Sequence, residues 1–264
     1  AVVRHYAREG IVPRRTLLLA FFADEEAAGI MGAKWVVAQR PDLFDGMTEA
    51  LSEVGGWSVP VGDKRLYPIA VAEKGVAWAS VTAHGTAAHA SRPTQDNAVA
   101  AVAGAVHRVA SREFPVAPTE ANTALAATVG QLTGGSGDIA DLPERLGVLG
   151  HFGPVVAASL SHTASPTVLS AGYKTNVIPT EARAEIDCRV LPGGEDTFRS
   201  EIETDLGEGV AVDWIWEPPI AAPADAELVE FHGGLIREKT RRGGPVVDHP
   251  EDPAAVPAEV GCAH

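Results

Sequence analysis

The sequence predicts an α/β segment first, with an α+β segment inserted behind it. Three observations carry this. The run RRTLLLAFFA at 14–23 is of strand length and lacks polar alternation, which suits a strand buried on both faces of a parallel sheet. A helical stretch and a second short strand follow across short links, the order expected of α/β folds. Near residue 65 the style changes, and alternating strands surround two amphipathic helices.

Taken in order, residues 1–9 place Val2, Val3 and Tyr6 on one helical stripe, and Gly10 is a suitable stop. After the apolar run, DEEAAG reads as a loop. GIMGAKWVVAQR (29–40) reads as a helix ended by Pro41, and TEALSEVGG (48–56) as a short strand running into a glycine turn. RLYPIAVAEKG and VAWASVTAHG read as paired strands joined at Lys74–Gly75. A loop carrying HGTAAHASRP leads into a helix over 97–111 that Asp96 or Asn97 can cap. TVLSAGY and 181–191 are strands, 194–207 is a helix, and 209–217 is an alternating strand. One more helix is expected over 225–242. The proline-rich end beyond 241 has no periodicity and reads as disordered.

Bulk properties narrow the function classes. The 264 residues carry a net charge of −14, and a nucleic-acid-binding protein ordinarily presents a basic face. Cys188 and Cys262 are the two cysteines, which excludes a disulfide framework or a cysteine-rich zinc site and suits a reducing cytoplasm. No apolar run reaches the roughly 18 residues needed to cross a bilayer. The expectation is a cytoplasmic protein with neither nucleic-acid nor membrane partners.

Four segments could carry chemistry. In FFADEEAAG, Asp24, Glu25 and Glu26 sit at the carboxyl end of the expected strand, where α/β sheets bind ligands. Adjacent carboxylates repel, and a metal or a shared proton relieves that cost. Acids in a first helical turn are also explained by the helix dipole alone. Glu53, in LSEVGG, ends the next expected strand, so two neighbouring parallel strands would bring Glu26 and Glu53 to one sheet edge. His89 lies in a glycine- and alanine-rich loop that lets an imidazole project toward an oxyanion or a metal, with His84 a weaker competitor. In GYKTNVIPTEARAEIDCRVLPGG, Asn176 precedes a strand on which Asp187 and Arg189 share a face. Arg189 could grip a carboxylate with two hydrogen bonds, or simply pair with Asp187. HExxH, a P-loop and a nucleophile elbow are all missing.

Together, DEE, SEVGG, GTAAHASRP and NVIPTEARAEIDCRVLPG resemble the cocatalytic zinc hydrolases that include aminoacylase, carboxypeptidase G, acetylornithine deacetylase and succinyl-diaminopimelate desuccinylase, over roughly residues 1–240. The resemblance implies a zinc-peptidase-like catalytic α/β domain with an inserted α+β, ferredoxin-like lid or dimerisation domain. The expected division is 1–72 for the first catalytic part, 73–213 for the lid, 214–240 for the resumed catalytic part and 241–264 for the tail. It implies two zinc ions, with Glu26 and Glu53 as ligands and Glu25 as general base. His89 matches a lid histidine that reaches the partner's active site in dimeric members. Asn176 and Arg189 match substrate-binding positions, Arg189 for a carboxylate. The implied substrates are small peptides or N-acyl amino acids, cleaved at a linear amide bond by a homodimer.

The chain departs from the family pattern. An upstream HxD motif, a bridging Asp and a late histidine ligand are not found, so both matched ligands are carboxylates and zinc is expected to bind weakly. The expectation is a truncated hydrolase of low or no activity; the rival reading is a non-enzymatic dimerisation module left from such an enzyme.

Overall fold

The computed structural model describes residues 2–25, 29–51 and 57–222. The described residues up to 51 belong to one compact unit and those from 57 onward to another.

In the first unit, α1 (Val2–Glu9) stops at Gly10, which takes φ +63°. The Ile11 N–H closes the turn onto the Tyr6 carbonyl at 2.9 Å. The second helix, α2 (Ala33–Gln39), is shorter than the pattern suggested, and a 3-10 turn at Pro41–Phe44 follows it. The apolar run 14–23 corrects the sequence reading, because it forms no strand. Leu17, Leu18, Leu19 and Phe22 are exposed, and Phe21 is 92% exposed. An apolar run permits a strand, but a neighbour's N–H and C=O groups make one. Among the described residues no segment pairs with it. The second expected strand is irregular over 48–51, and its remainder lies outside the described residues.

The second unit opens with a hairpin, β1 (Val59–Val61) and β2 (Lys64–Leu66), turning at Gly62 with φ +62°. Then come β3 (Ala72–Glu73), β4 (Gly75–His84), β5 (Ala88–His89) and α3 (Ala98–Ala110). A helical stretch follows, with α4 (Glu120–Thr133), α5 (Leu142–Arg145) and α6 (Gly153–Ser159). The chain continues through β6 (Thr163–Ala171), β7 (Val177–Ile178), β8 (Glu181–Val190), α7 (Glu195–Leu206), β9 (Ala211–Glu217) and β10 (Ile220–Ala221).

Four of these strands form an antiparallel sheet in the order β6-β8-β4-β9. The helices α3 and α7 connect β4 to β6 and β8 to β9, which is the split βαβ arrangement of ferredoxin-like folds. Period-two alternation decides which face they cover. Ala77, Ala79, Val81 and Ala83 of β4, with Ala184, Ile186, Cys188 and Val190 of β8, are buried against Val102, Ala105 and Val109 of α3 and Phe198, Ile202 and Leu206 of α7. Cys188 is sealed in this layer, and burial pushes its thiol up to about 12. Asn97 caps α3, its side chain accepting the N–H groups of Val99 and Ala100.

Two further points differ from the sequence reading. The segments before and after Lys74 do not pair with each other. Instead β3 pairs with β10, and β4 lies between β8 and β9. Gly75 serves close approach rather than a turn: a Cβ there would stand 2.5 Å from the Pro219 nitrogen. The stretch 112–162, whose sequence shows no clear periodicity, builds a second core. Ala126, Val129, Leu142, Leu149, Val156 and Leu160 pack there with Val59, Val61 and Leu66 of the hairpin. The missed signal was the capping box of α4. The Thr119 side chain accepts from Asn122 N–H while the Asn122 side chain accepts from Thr119 N–H.

Candidate active-site residues of the second unit

The loop between β4 and α3 is fastened at both ends. Gly85 allows backbone contact so close that a Cβ would lie 1.9 Å from the Asp96 carbonyl oxygen, and its N–H donates to the Thr180 carbonyl at 2.9 Å. The Thr86 hydroxyl donates to Asp96 Oδ2 at 2.6 Å, and this bond holds the Asp96 carboxyl below its usual range. Between these points the chain forms β5, which pairs with β7 so that His89 stands opposite Val177. The Ala90 N–H donates to the Asn176 carbonyl at 3.0 Å. Tertiary pairing therefore brings His89 and Asn176 together, although 86 positions part them in the sequence.

The His89 ring is exposed and oriented by a residue the sequence reading did not single out. The Ser91 N–H donates to His89 Nδ1 at 3.2 Å, and the Ser91 hydroxyl lies 2.8 Å from the same atom. A backbone N–H can only donate, so Nδ1 acts as an acceptor and the ring proton of neutral imidazole sits on Nε2. The signal was local, in the HAS triplet, because a hydroxyl two residues on commonly bonds back to its neighbour. His84, the competitor, lies 3.7 Å from Glu181 across the end of the β4–β8 ladder.

Arg189 and Asp187 share a face of β8, as the alternation required. Arg189 Nε donates to Asp187 Oδ1 at 2.7 Å and one terminal nitrogen donates to Oδ2 at 2.9 Å, a two-pronged pair with the arginine side chain 15% exposed. His89 lies on the separate β5–β7 ladder, and β7 leads into β8 at its Glu181 end. Arg189 lies eight residues along that strand, about 26 Å at the usual rise. One protomer therefore places the two toward opposite ends of the strand.

In the first unit Glu25 is exposed, and the preceding Asp24 takes φ +68°, with its side chain accepting the Met31 N–H at 2.8 Å. Glu26 and Glu53, the expected zinc ligands, lie outside the described residues. Among the described residues no three His, Cys, Asp or Glu side chains form a group that could hold a metal ion. Likewise, no described helix is long and apolar enough to cross a membrane.

The family model of the peptidase dimerisation domain matches residues 71–211, more than half of the chain. The chain belongs to the peptidase dimerisation domain family. The matched residues contain β4, β6 and β8 of the four-stranded sheet, the two covering helices, and the positions His89, Asn176 and Arg189. Among curated proteins, the chain is 29% identical over 202 residues to a probable carboxypeptidase S-like 2 of Dictyostelium discoideum, covering 70% of this chain and 37% of that protein. It is 25% identical to an N-fatty-acyl-amino acid synthase/hydrolase of Mus musculus, covering 94% of this chain and 50% of that one. The chain thus spans half or less of the length of these relatives. Among solved structures, a metallo-carboxypeptidase from Sulfolobus solfataricus aligns with 17% identity and a TM-score of 0.45, covering 66% of this chain and 51% of that one.

Proposed function

We propose that this chain is part of a metal-dependent hydrolase of linear amide bonds, acting on small peptides or N-acyl amino acids. The observation that carries this reading is the β5–β7 pairing, which sets an oriented histidine beside Asn176 inside a peptidase dimerisation domain.

Roles are assigned residue by residue. Glu25 is the general base, taking a proton from the attacking water and returning it to the leaving amine. Glu26 and Glu53 are zinc ligands, carboxylate oxygens being ordinary donors for that ion. Zinc, when bound, supplies a water of lowered pKa and polarises the amide carbonyl. His89 offers its Nε2–H to the oxyanion that develops as the carbonyl is attacked, a role suited to the tautomer that Ser91 selects. Asn176 binds the substrate backbone, and Arg189 binds its carboxylate.

The domain also joins two protomers. Among the described residues β6 is an edge strand, with Val168 52% and Leu169 59% exposed, and an edge carrying such side chains invites a second copy. The distance along β8 favours a shared arrangement, in which the partner's His89 serves a substrate held by Arg189. The rival reading, a dimerisation module without turnover, draws on the same edge.

The deciding experiment measures zinc content and hydrolysis of N-acyl amino acids by the full chain, beside its Glu25→Gln variant. Turnover that falls by roughly a hundredfold or more in the variant supports the hydrolase. A dimer with no zinc and no turnover selects the module.

A further inference from the structure

On the sheet face turned away from α3 and α7, the β8 row is charged. Along β8 it presents Arg183, Glu185, Asp187 and Arg189 at alternate positions. Asp187 stands opposite Trp78 on β4 and Ser165 on β6; Arg189 stands opposite Val76 and Thr163. The two-pronged contact between them uses both Asp187 oxygens, at 2.7 and 2.9 Å. This is the geometry in which a free carboxylate would grip the same guanidinium. The partners are two residues apart on one strand face, so pairing them orders no other part of the chain. It also gives a guanidinium that is 15% exposed a charged partner.

We propose that Asp187 is an internal stand-in for the ligand carboxylate at Arg189: it occupies the Nε edge of the guanidinium, and a carboxylate ligand that takes this edge must displace it. This rests on the reading of Arg189 as the substrate-carboxylate group. Two carboxylates on one guanidinium repel, and the Nε edge cannot serve both with the same two N–H groups. Apparent affinity is therefore lowered by the fraction of time the edge is open. Asp187, 32% exposed, has water to turn into when displaced. The residue thus sets the threshold for carboxylate ligands without touching the scissile bond.

The test is calorimetric titration of the full chain with N-octanoyl-phenylalanine and with the corresponding carboxamide. Asp187→Asn keeps the shape and an acceptor oxygen but removes the charge. It is expected to bind the carboxylate about tenfold more tightly than the unaltered chain, as for an edge open about one time in ten. Binding of the carboxamide should not change. Asp187→Glu, which keeps the charge, should stay near the unaltered affinity. If Asp187→Asn does not fold, as judged by circular dichroism, Asp187→Ser takes its place with the same expectation. Equal or weaker carboxylate binding by the neutral variant, with Arg189→Ala still weakening it, overturns the stand-in role and leaves Arg189 as the carboxylate group. Carboxylate binding unchanged by Arg189→Ala overturns the reading of Arg189 itself. No binding of the carboxylate by any form overturns both.

Discussion

Two apolar segments of similar length meet different fates in this molecule. GVAWASVTAH becomes β4, the second-from-edge strand of the sheet, with Ala77, Ala79 and Val81 wholly buried. RRTLLLAFFA is the more apolar of the two, yet its leucines and phenylalanines are exposed and it carries no strand. The difference lies in neighbours rather than in hydrophobicity. β4 has β8 on one side, β9 on the other, and two helices over one face. The lesson is that apolar content qualifies a segment for burial, and only partners with matching hydrogen-bond edges and an apolar cover accomplish it.

The comparison can be tested most severely by deleting a ring from each unit. Phe198, 1% exposed, stacks on Phe114 with centroids 5.8 Å apart, so Phe198→Ala is expected to cost about 3–5 kcal/mol in urea unfolding. Phe21→Ala, at a site 92% exposed, should change stability by less than about 0.5 kcal/mol. Equal losses would show that the exposed run is packed in solution.

An edge strand is the intermediate case, half partnered. Val168→Lys on β6 should weaken self-association roughly tenfold or more in analytical ultracentrifugation, because a charge on an open edge discourages pairing. An unchanged dimer would move the interface off β6.

Caps sharpen the contrast between helices. α3 begins with two side-chain bonds from Asn97, whereas α2 begins at Gly32 with none. Asn97→Ala should lower the melting free energy by about 1 kcal/mol.

The smallest expected effect concerns pH. His162 accepts the Leu191 N–H at Nδ1, 3.0 Å away, and sits among the rings of Phe114 and Phe198. Burial, followed by the nearby Lys74 charge, lowers its pKa below the ordinary 6.5, against weaker opposing pulls from Glu201 and Glu195, with Arg112 adding to the lowering. The unfolded chain then takes up the proton first. The neutral ring's contribution is whole above about pH 6.5 and is lost as pH falls through that value toward the lower folded-state pKa. His162→Phe should flatten the melting temperature between pH 7.5 and 5, and lose about 1 kcal/mol at neutral pH with the bond to Leu191.

Local periodicities are written in the spacing of the side chains. The residues of α3, α7, β8 and β9 are legible because side-chain spacing declares helix or strand within a few residues. The shared face of Asp187 and Arg189 followed from the same rule. Tertiary structure decided everything that depends on which edges meet. It paired β3 with β10 rather than with β4, set His89 beside Asn176, built a second core from 112–162 against the β1–β2 hairpin, and left the apolar run 14–23 without a strand partner among the described residues. Hydrogen bonds between distant segments are chosen by the whole set of competing surfaces, and no window of neighbouring residues contains that choice.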